Sequence, residues 1–486
     1  MKTIHSFMGM ALCSFPVMAQ QSPNFLIIQC DHLTQRVVGA YGADPSCTPP
    51  IDRIASQGVT FANAYVGCPL SQPSRAALWS GLMPHQTNVR SNSAEHINPP
   101  LPDSIPTLGS LFTANGYEAV HFGKTHDMGS LRGFRHKEPV AKPFTDPEFP
   151  VNNDSFLDVG TCEDAVAYLS NPPQEPFIAD FQNPHNICGY VGENKGEHID
   201  SPISTPLPLL PENFEVEDWE KLPLPIQYIC CSHRRMMQAA HWNEDNYRHY
   251  VAAFQPYTRI VARQIESVLE ALYSTPAGKN TIVIVLADHG DGMGSHRMVT
   301  KQVSFYEEMT NVPFIIAGPG IHPRQKPVED LLTQPTIDLL PTLCELAGIP
   351  VPSSKPGISL APFLKGEKQK RQHPYAASEW HSEYEVTVSP GRMIRSPRYK
   401  YTHYLEGNGE ELYDMLKDKG ERRNLAHEPK YSKILAEHRA LLDDYIRRTQ
   451  DDYRSLKVEA DKRWRSHAPG YPNHEGPCAR DIINRK

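Results

Sequence analysis

The sequence predicts an α/β fold: a large, mixed, mostly parallel sheet flanked by helices, with a smaller C-terminal α+β subdomain. Three observations carry this. Apolar runs of strand length, each ending at polar residues, alternate with helix-period stretches. The runs are continuously apolar, as strands covered on both faces are. After Gly357 the texture changes to short strand-like runs and one helix. The 486 residues are also too many for one ordinary core.

The N-terminus reads as a secretory leader. Lys2 is its only full charge, Phe7 to Met18 is apolar, and Val17-Met18-Ala19 offers cleavage before Gln20. This predicts a signal peptide over 1–19 and a periplasmic or secreted mature protein, divided by the change of texture into a main α/β region over 20–369 and a C-terminal α+β subdomain over 370–486. Asn24 to Cys30 is the first strand and runs into Asp31-His32. Pro50 to Gln57 is a helix stopped by Gly58, and Ser104 to Asn115 a helix stopped by Gly116. Glu118 to Phe122 is a strand ending at Gly123-Lys124-Thr125-His126. Lys137 to Leu224, rich in proline and turn residues, reads as irregular insertion around one strand, Phe177 to Phe181, that ends at Asn183-Pro184-His185. Tyr250 to Leu272 is a long amphipathic helix. Thr281 to Leu286 ends at Asp288-His289-Gly290, and Val312 to Ala317 ends at Gly318-Pro319-Gly320. Beyond a charged linker at 365–372 come strand-like runs at Tyr375 to Ser378, Met393 to Ile394 and Lys400 to Tyr404, then a helix from Lys433 to Arg448.

Composition narrows the function. A net charge of −8 argues against bulk attraction to nucleic acid, and no apolar run reaches membrane-spanning length. Ten cysteines at irregular spacing, nine once Cys13 leaves with the leader, form no disulfide framework. In doubly covered sheets ligands bind beyond the carboxyl ends of the strands. Four strand ends here carry Asp, His or Lys, so they are expected to converge on one site.

The sharpest local signal is Ser71-Gln72-Pro73-Ser74-Arg75, continuing to Gly81. Read from the residues, it is a turn opening a helix. Pro73 lies in the first turn, Ser71 sits near the N–H groups that attract an anion, and Arg75 lies one turn on, able to hold Ser71 or an anionic substrate. A serine N-cap followed by an ordinary surface arginine would look the same.

In register, Ser71, Pro73, Ser74, Arg75 and Gly81 resemble the signature of the type I sulfatases of the alkaline phosphatase superfamily, with Ser80 where threonine is usual. Cys68 is a decoy, since Leu70 stands where that signature has proline. Gly123-Lys124-Thr125-His126, Pro184-His185, Asp288-His289-Gly290 and Lys301 resemble the family's further elements. Tyr399-Lys400-Tyr401, Glu411-Leu412-Tyr413-Asp414 and Asn424-Leu425 resemble its C-terminal subdomain. The resemblance implies an alkaline-phosphatase-like sheet and conversion of Ser71 to formylglycine (3-oxoalanine), whose hydrate is the nucleophile. A serine-type site further implies a radical-SAM maturase as partner.

A sulfate ester needs cations on its oxygens and a metal to hold sulfate and nucleophile together. Asp31, Asp288 and His289, with Ser71, are the expected metal set, and Arg75, Lys124 and Lys301 the cations. His185 is the expected acid for the leaving alcohol, and the resemblance implies His126 as the base. The ion implied by the resemblance is calcium, although the imidazoles of Asp31-His32 and Asp288-His289 depart from the common oxygen-rich pattern and admit manganese. Ligand, supporting group and cap are all open for His32. Asp291 reads as a turn residue, His296 as a structural one. His85, Arg90 and His121 are undecided.

The expected activity is that of an exported sulfatase acting on a sulfated saccharide, a glycosaminoglycan or another sulfated glycan. The alternatives are a phosphonate or phosphate-ester hydrolase of the same superfamily and a non-catalytic sulfated-glycan-binding protein.

Overall fold

The computed structural model describes residues 22–92, 99–138, 140–142, 157–171, 177–181, 184–194, 206–215, 221–227, 234–239, 242–301, 304–381 and 390–456. The leader, Cys230-Cys231 and Asn183 lie outside the described residues.

The strands of the main sheet are β1 (Asn24–Cys30), β2 (Gly58–Ala64), β3 (Val120–Phe122), β4 (Arg135–Lys137), β5 (Phe177–Phe181), β6 (Thr281–Ala287), β7 (Phe314–Ala317) and β8 (Val328–Thr333). Their order is β4-β3-β5-β1-β6-β7-β2-β8. Among the described strands of this sheet, only β7 runs antiparallel to its neighbours. β1 and β6 pair over their whole lengths, and every residue of both is buried. This is why their sequences are unbroken apolar runs.

Strand alternation splits those runs between two cores. Leu26, Ile28, Val283 and Val285 face α1 (Pro49–Ser56), α4 (Leu157–Leu169) and α6 (Glu244–Tyr273). Phe25, Ile27, Ile282 and Ile284 face α2 (Ser71–Ser80), α3 (Leu108–Ala114) and α7 (Pro335–Ala347). A further helix, α5 (Ile187–Glu193), follows the end of β5. The C-terminal sheet is an antiparallel meander of β9 (Ala376–Trp380), β10 (Gly391–Arg395), β11 (Tyr399–Tyr404) and β12 (Gly409–Asp414). The last helix, α8 (Ser432–Thr449), lays Leu435, Leu442 and Tyr445 on Ile394, Tyr401 and Leu412. No helix among the described residues is long and apolar enough to cross a membrane.

Several boundaries differ from the expectations. The third strand starts at Val120 rather than Glu118, and the seventh at Phe314 rather than Val312. The helix expected from Ser104 begins at Leu108, because Thr107 caps it and exchanges hydrogen bonds with Ser110. The long helix starts earlier, at Glu244, where the Asn243 side chain accepts from the Asn246 N–H. The stretch 137–224 is not wholly irregular around its strand: α4 lies within it and packs Ala165 and Leu169 into the core.

Candidate active site

Four parallel strand ends and the start of α2 deliver the expected residues to one place. β1 ends at Asp31 and His32, β6 at Asp288 and His289, β3 leads to Lys124 and His126, and β5 leads to His185. Ser71 is the first residue of α2, entered from an extended Leu70, and the helix stops at Gly81, which takes the left-handed backbone (φ 63°) that glycine adopts without strain. Asp31, His32, Ser71, Arg75 and His289 are fully buried. Gly290 must be glycine for space: a Cβ there would meet the Glu308 carbonyl at 1.9 Å.

Ser71 is the centre of a short polar chain. Its Oγ lies 2.8 Å from His289 Nε2, and Lys301 Nζ donates to it at 3.2 Å. His289 Nδ1 donates to the Gly290 carbonyl at 2.9 Å, which fixes the tautomer and leaves Nε2 with its lone pair toward Ser71. Lys301 Nζ also donates to His32 Nε2 at 3.1 Å. The other ring nitrogen of His32 donates to Asp291 Oδ2 at 2.9 Å. Asp291 in turn accepts from the Tyr250 hydroxyl at 2.7 Å and from the Met293 N–H at 2.9 Å. Asp291 is thus no simple turn residue. It is buried and orients His32 from behind.

Arg75 binds the carboxylates at two strand ends. Its Nε donates to Asp288 Oδ2 at 2.9 Å and an Nη to Asp31 Oδ2 at 3.1 Å, so the guanidinium clamps the two strand ends together. Ser74 Oγ adds a 2.6 Å bond to the Asp288 carbonyl. Lys124 Nζ also pairs with Asp31 Oδ2.

These charges set the protonation states. Burial alone would raise Asp31, but Lys124, with His185, Lys301 and Arg75, holds its carboxyl well below the usual range. Burial, followed by Lys301, pushes His32 well below the ordinary imidazole range. Burial is also the main cause of the lowered His185 and His289, with Lys124 and Lys301 adding to the first and Lys301 to the second. His126 is brought down to about 3 by burial and then by Lys124. Asp291 is pushed up to about 6 by burial.

The donor set fits a divalent cation. Atoms of Asp31, His32 and His289 that can ligate lie within 4.8 Å of one another. Asp31 Oδ1 is buried with no hydrogen-bond partner, 3.7 Å from His289 Nε2, which is itself 3.7 Å from Asp288 Oδ2. A buried carboxylate oxygen left unsatisfied between carboxylate and imidazole is what a cation would complete.

Other expected or undecided residues lie elsewhere. His296 stacks on Tyr306 at 3.9 Å, and its N–H donates to the Asn213 carbonyl, so it is structural. His85 pairs with Glu379, Arg90 with Asp452, and His121 contacts His136. Cys68 is buried and reduced. Beyond Asp291, the residues missed from sequence are Tyr250, which braces Asp291, and Asn92, whose Oδ1 accepts from the Gln72 N–H at 2.9 Å. The second carboxylate of the Asp288-His289-Gly290-Asp291 run, at its fourth position, was the one available signal for Asp291.

The sulfatase family model matches residues 23–349, and that of the N-sulphoglucosamine sulphohydrolase C-terminal region matches 294–448. A Delta 4,5-hexuronate-2-O-sulfatase of Bacteroides thetaiotaomicron is 77% identical over 481 residues, covering 99% of this chain and 100% of its own. A solved structure of a 2-O GAG sulfatase superposes with a TM-score of 0.91 at 78% identity, over 95% of this chain and 100% of the other. The phosphonate monoester hydrolase of Agrobacterium radiobacter shares the fold, with a TM-score of 0.71 at 22% identity over 89% of this chain and 97% of its own. The near-full-length match at high identity decides against the phosphonate hydrolase and the non-catalytic binder. The chain belongs to the sulfatase family of the alkaline phosphatase superfamily and is a sulfuric ester hydrolase.

Proposed function

We propose that the protein is an exported sulfatase that removes the 2-O-sulfate from a hexuronate of a glycosaminoglycan fragment, with Ser71, matured to formylglycine, as its nucleophilic residue. The placement of Ser71 Oγ between His289 Nε2 and Lys301 Nζ carries the chemical reading. The 77% identical hexuronate-2-O-sulfatase supports the substrate. Export rests on the leader read over 1–19, and the catalytic region over 20–369 precedes the subdomain over 370–486.

As formylglycine, position 71 would supply a hydrated aldehyde as nucleophile, made by a maturase acting on the Ser-x-Pro-Ser-Arg segment. A divalent cation, calcium or manganese, held by Asp31, Asp288 and His289 beside position 71, would withdraw charge from the sulfate oxygens. The imidazole in that set favours manganese over calcium.

The chain's own residues do the rest. Lys301 donates at the position-71 oxygen and holds it for attack. Lys124 and Lys301 would neutralise the sulfate, while Arg75 keeps Asp31 and Asp288 in place. His126, neutral in its buried setting, accepts the proton from the position-71 side chain. His185 donates to the leaving sugar oxygen. Burial and Lys124 keep it low in the free site, and an arriving sulfate anion offsets those cations and favours its protonated form.

The test is sulfate release from defined disaccharides bearing a single sulfate, using protein co-expressed with a radical-SAM maturase. A 2-O-sulfated unsaturated hexuronate should be desulfated, and isomers sulfated on the hexosamine should not. Mass spectrometry of the Ser71 peptide should show loss of one hydrogen molecule in active protein. A fully active enzyme with unmodified Ser71 would overturn the nucleophile.

A further inference from the structure

Cys188 stands at the edge of the site and has no part in the chemistry above. It lies on α5, one turn after His185, and its N–H donates to the His185 carbonyl at 3.0 Å. Its Sγ lies 3.8 Å from His32 Nε2. The His32 and His185 rings meet edge to face with centroids 5.1 Å apart. Ligating atoms of His32, His185 and Cys188 all lie within 4.8 Å of one another.

We propose that His32, His185 and Cys188 form a second metal site that takes a thiophilic divalent ion, Zn²⁺ above all, and that filling it blocks the sulfatase reaction. A tetrahedral zinc with ordinary Zn–S and Zn–N bonds separates sulfur and nitrogen ligands by about 3.6 Å. The Cys188–His32 spacing is within a few tenths of an ångström of that value. His32 is also set up as a ligand: Asp291 accepts its Nδ1 proton at 2.9 Å, leaving the Nε2 lone pair directed at the site, the carboxylate–histidine arrangement that fixes metal-binding imidazoles. His185 and Cys188 are half-buried, whereas His32 is fully buried.

Ligand softness separates this site from the Asp31–Asp288–His289 set. Two carboxylates and one imidazole suit a hard or borderline ion, whereas a thiolate with two imidazoles selects zinc. Burial pushes the Cys188 thiol up to about 11, so it is protonated at rest. When zinc binds, the S–Zn bond forms and the thiol proton leaves to solvent, with no oxidant or reductant involved. Lys301 must give up its bond to His32 and keep the one to Ser71.

The block rests on the reading of His185 as proton donor, because a ring nitrogen bound to zinc cannot carry that proton. Zinc binding itself does not depend on that reading.

Co²⁺ serves as the visible probe. Added to the full-length wild-type protein with its hard site already filled by Mn²⁺, Co²⁺ should produce a near-ultraviolet thiolate-to-metal band. Cys188→Ala, or the nearly isosteric Cys188→Ser should alanine not fold, should lack the band. The Zn²⁺ concentration that halves activity, taken against each protein's own zinc-free rate, should rise roughly 10–100-fold in the variant. No band in wild type, or an undiminished band in a folded Cys188 variant, overturns the site. A Cys188-dependent band with full activity retained in zinc overturns the block and removes His185 as donor, while leaving the site in place.

Discussion

Asp31 is where the charges of the site converge, and its free oxygen is the clearest sign of what the site holds. Arg75 and Lys124 both bind Oδ2, while Oδ1 faces His289 without a hydrogen bond. Asp288→Ala removes the second carboxylate from that cluster and frees Arg75 to swing wholly onto Asp31. The variant should stay folded, lose its bound divalent ion by elemental analysis, and lose sulfatase activity. Unchanged metal content would remove Asp288 as a ligand. His185 is separable from this machinery by leaving group. His185→Ala should slow release from a sugar alcohol by roughly 10²–10⁴-fold, the usual worth of general acid catalysis, while an activated aryl sulfate is nearly spared. Equal losses on both would make His185 a brace for the Pro184 turn. Most of the expected site residues were legible one by one because they follow a strand end or lie in α2, whereas Lys301, well beyond the end of β6, stood out only through the family resemblance. Their pairings were not. That Arg75 clamps the Asp288 carboxylate, and that Asp291 orients His32, depends on contacts across more than two hundred residues of chain.

At the scale of elements, the legible strands were those buried on both faces. β1 and β6 read as unbroken apolar runs because neighbours cover both their sides. β2, with Asn63 part-exposed, and β8, with Glu329 and Asp330 exposed, lie toward one edge and carry polar residues that blur the signal. α7 was missed because Pro341 interrupts its pattern, yet Leu339, Leu340 and Leu343 bury it firmly. The C-terminal helix α8 docks through a charged contact open to a pH test. His85 Nδ1 lies 2.6 Å from Glu379 Oε1, its Nε2 donates to the Thr449 carbonyl at 3.1 Å, and the Tyr445 hydroxyl also reaches Glu379. Asp451, paired with Arg392, is the other carboxylate nearby. Burial would lower His85, but Glu379 holds it above the ordinary imidazole range. Burial would raise Glu379, but His85 and Arg392 bring it down to about 2. A raised histidine stabilises fully below its unfolded value near 6.5 and loses that contribution as pH rises through its folded value. A depressed glutamate stabilises above its unfolded value and loses the contribution as pH falls toward about 2. The contact is therefore strongest between about pH 4.5 and about pH 6.5. The Tm advantage of wild type over His85→Gln should shrink from about pH 6 to about pH 9. A constant difference would mean that His85 is neutral throughout.

Across the whole molecule, the Tyr399-Lys400-Tyr401 run marks the joint between the two sheets. Lys400 is on β11, almost wholly buried, and its Nζ lies 2.9 Å from Glu307 Oε1 and 2.6 Å from Glu421 Oε1. Glu307 belongs to the segment after Lys301, and Glu421 follows β12 and accepts from the Glu307 N–H at 2.7 Å. Burial would raise Glu307, but Lys400 and then Arg395 lower it, so it carries the matching charge. Burial raises Glu421 well above its usual range; Lys400 opposes this, and Glu307 and Glu308 add to it. The same short segment receives the Asp288-His289-Gly290-Asp291 loop: Gly290 N–H donates to the Met309 carbonyl at 3.0 Å and Asp291 N–H to that of Glu308 at 2.9 Å. The C-terminal subdomain is thereby tied, through one ammonium, to the backbone that carries the proposed metal ligands. Removing one partner of a buried ion pair typically costs about 3–5 kcal/mol, because the other charge is left unpaired. Lys400→Met should lose stability of that order by denaturant unfolding, and the added Glu307→Gln change should recover part of it. If Lys400 also positions the loop, the single variant should lose kcat more than KM at temperatures where it remains folded, and the double variant should regain kcat alongside stability. A stability loss with kcat unchanged would confine Lys400 to holding the two sheets together.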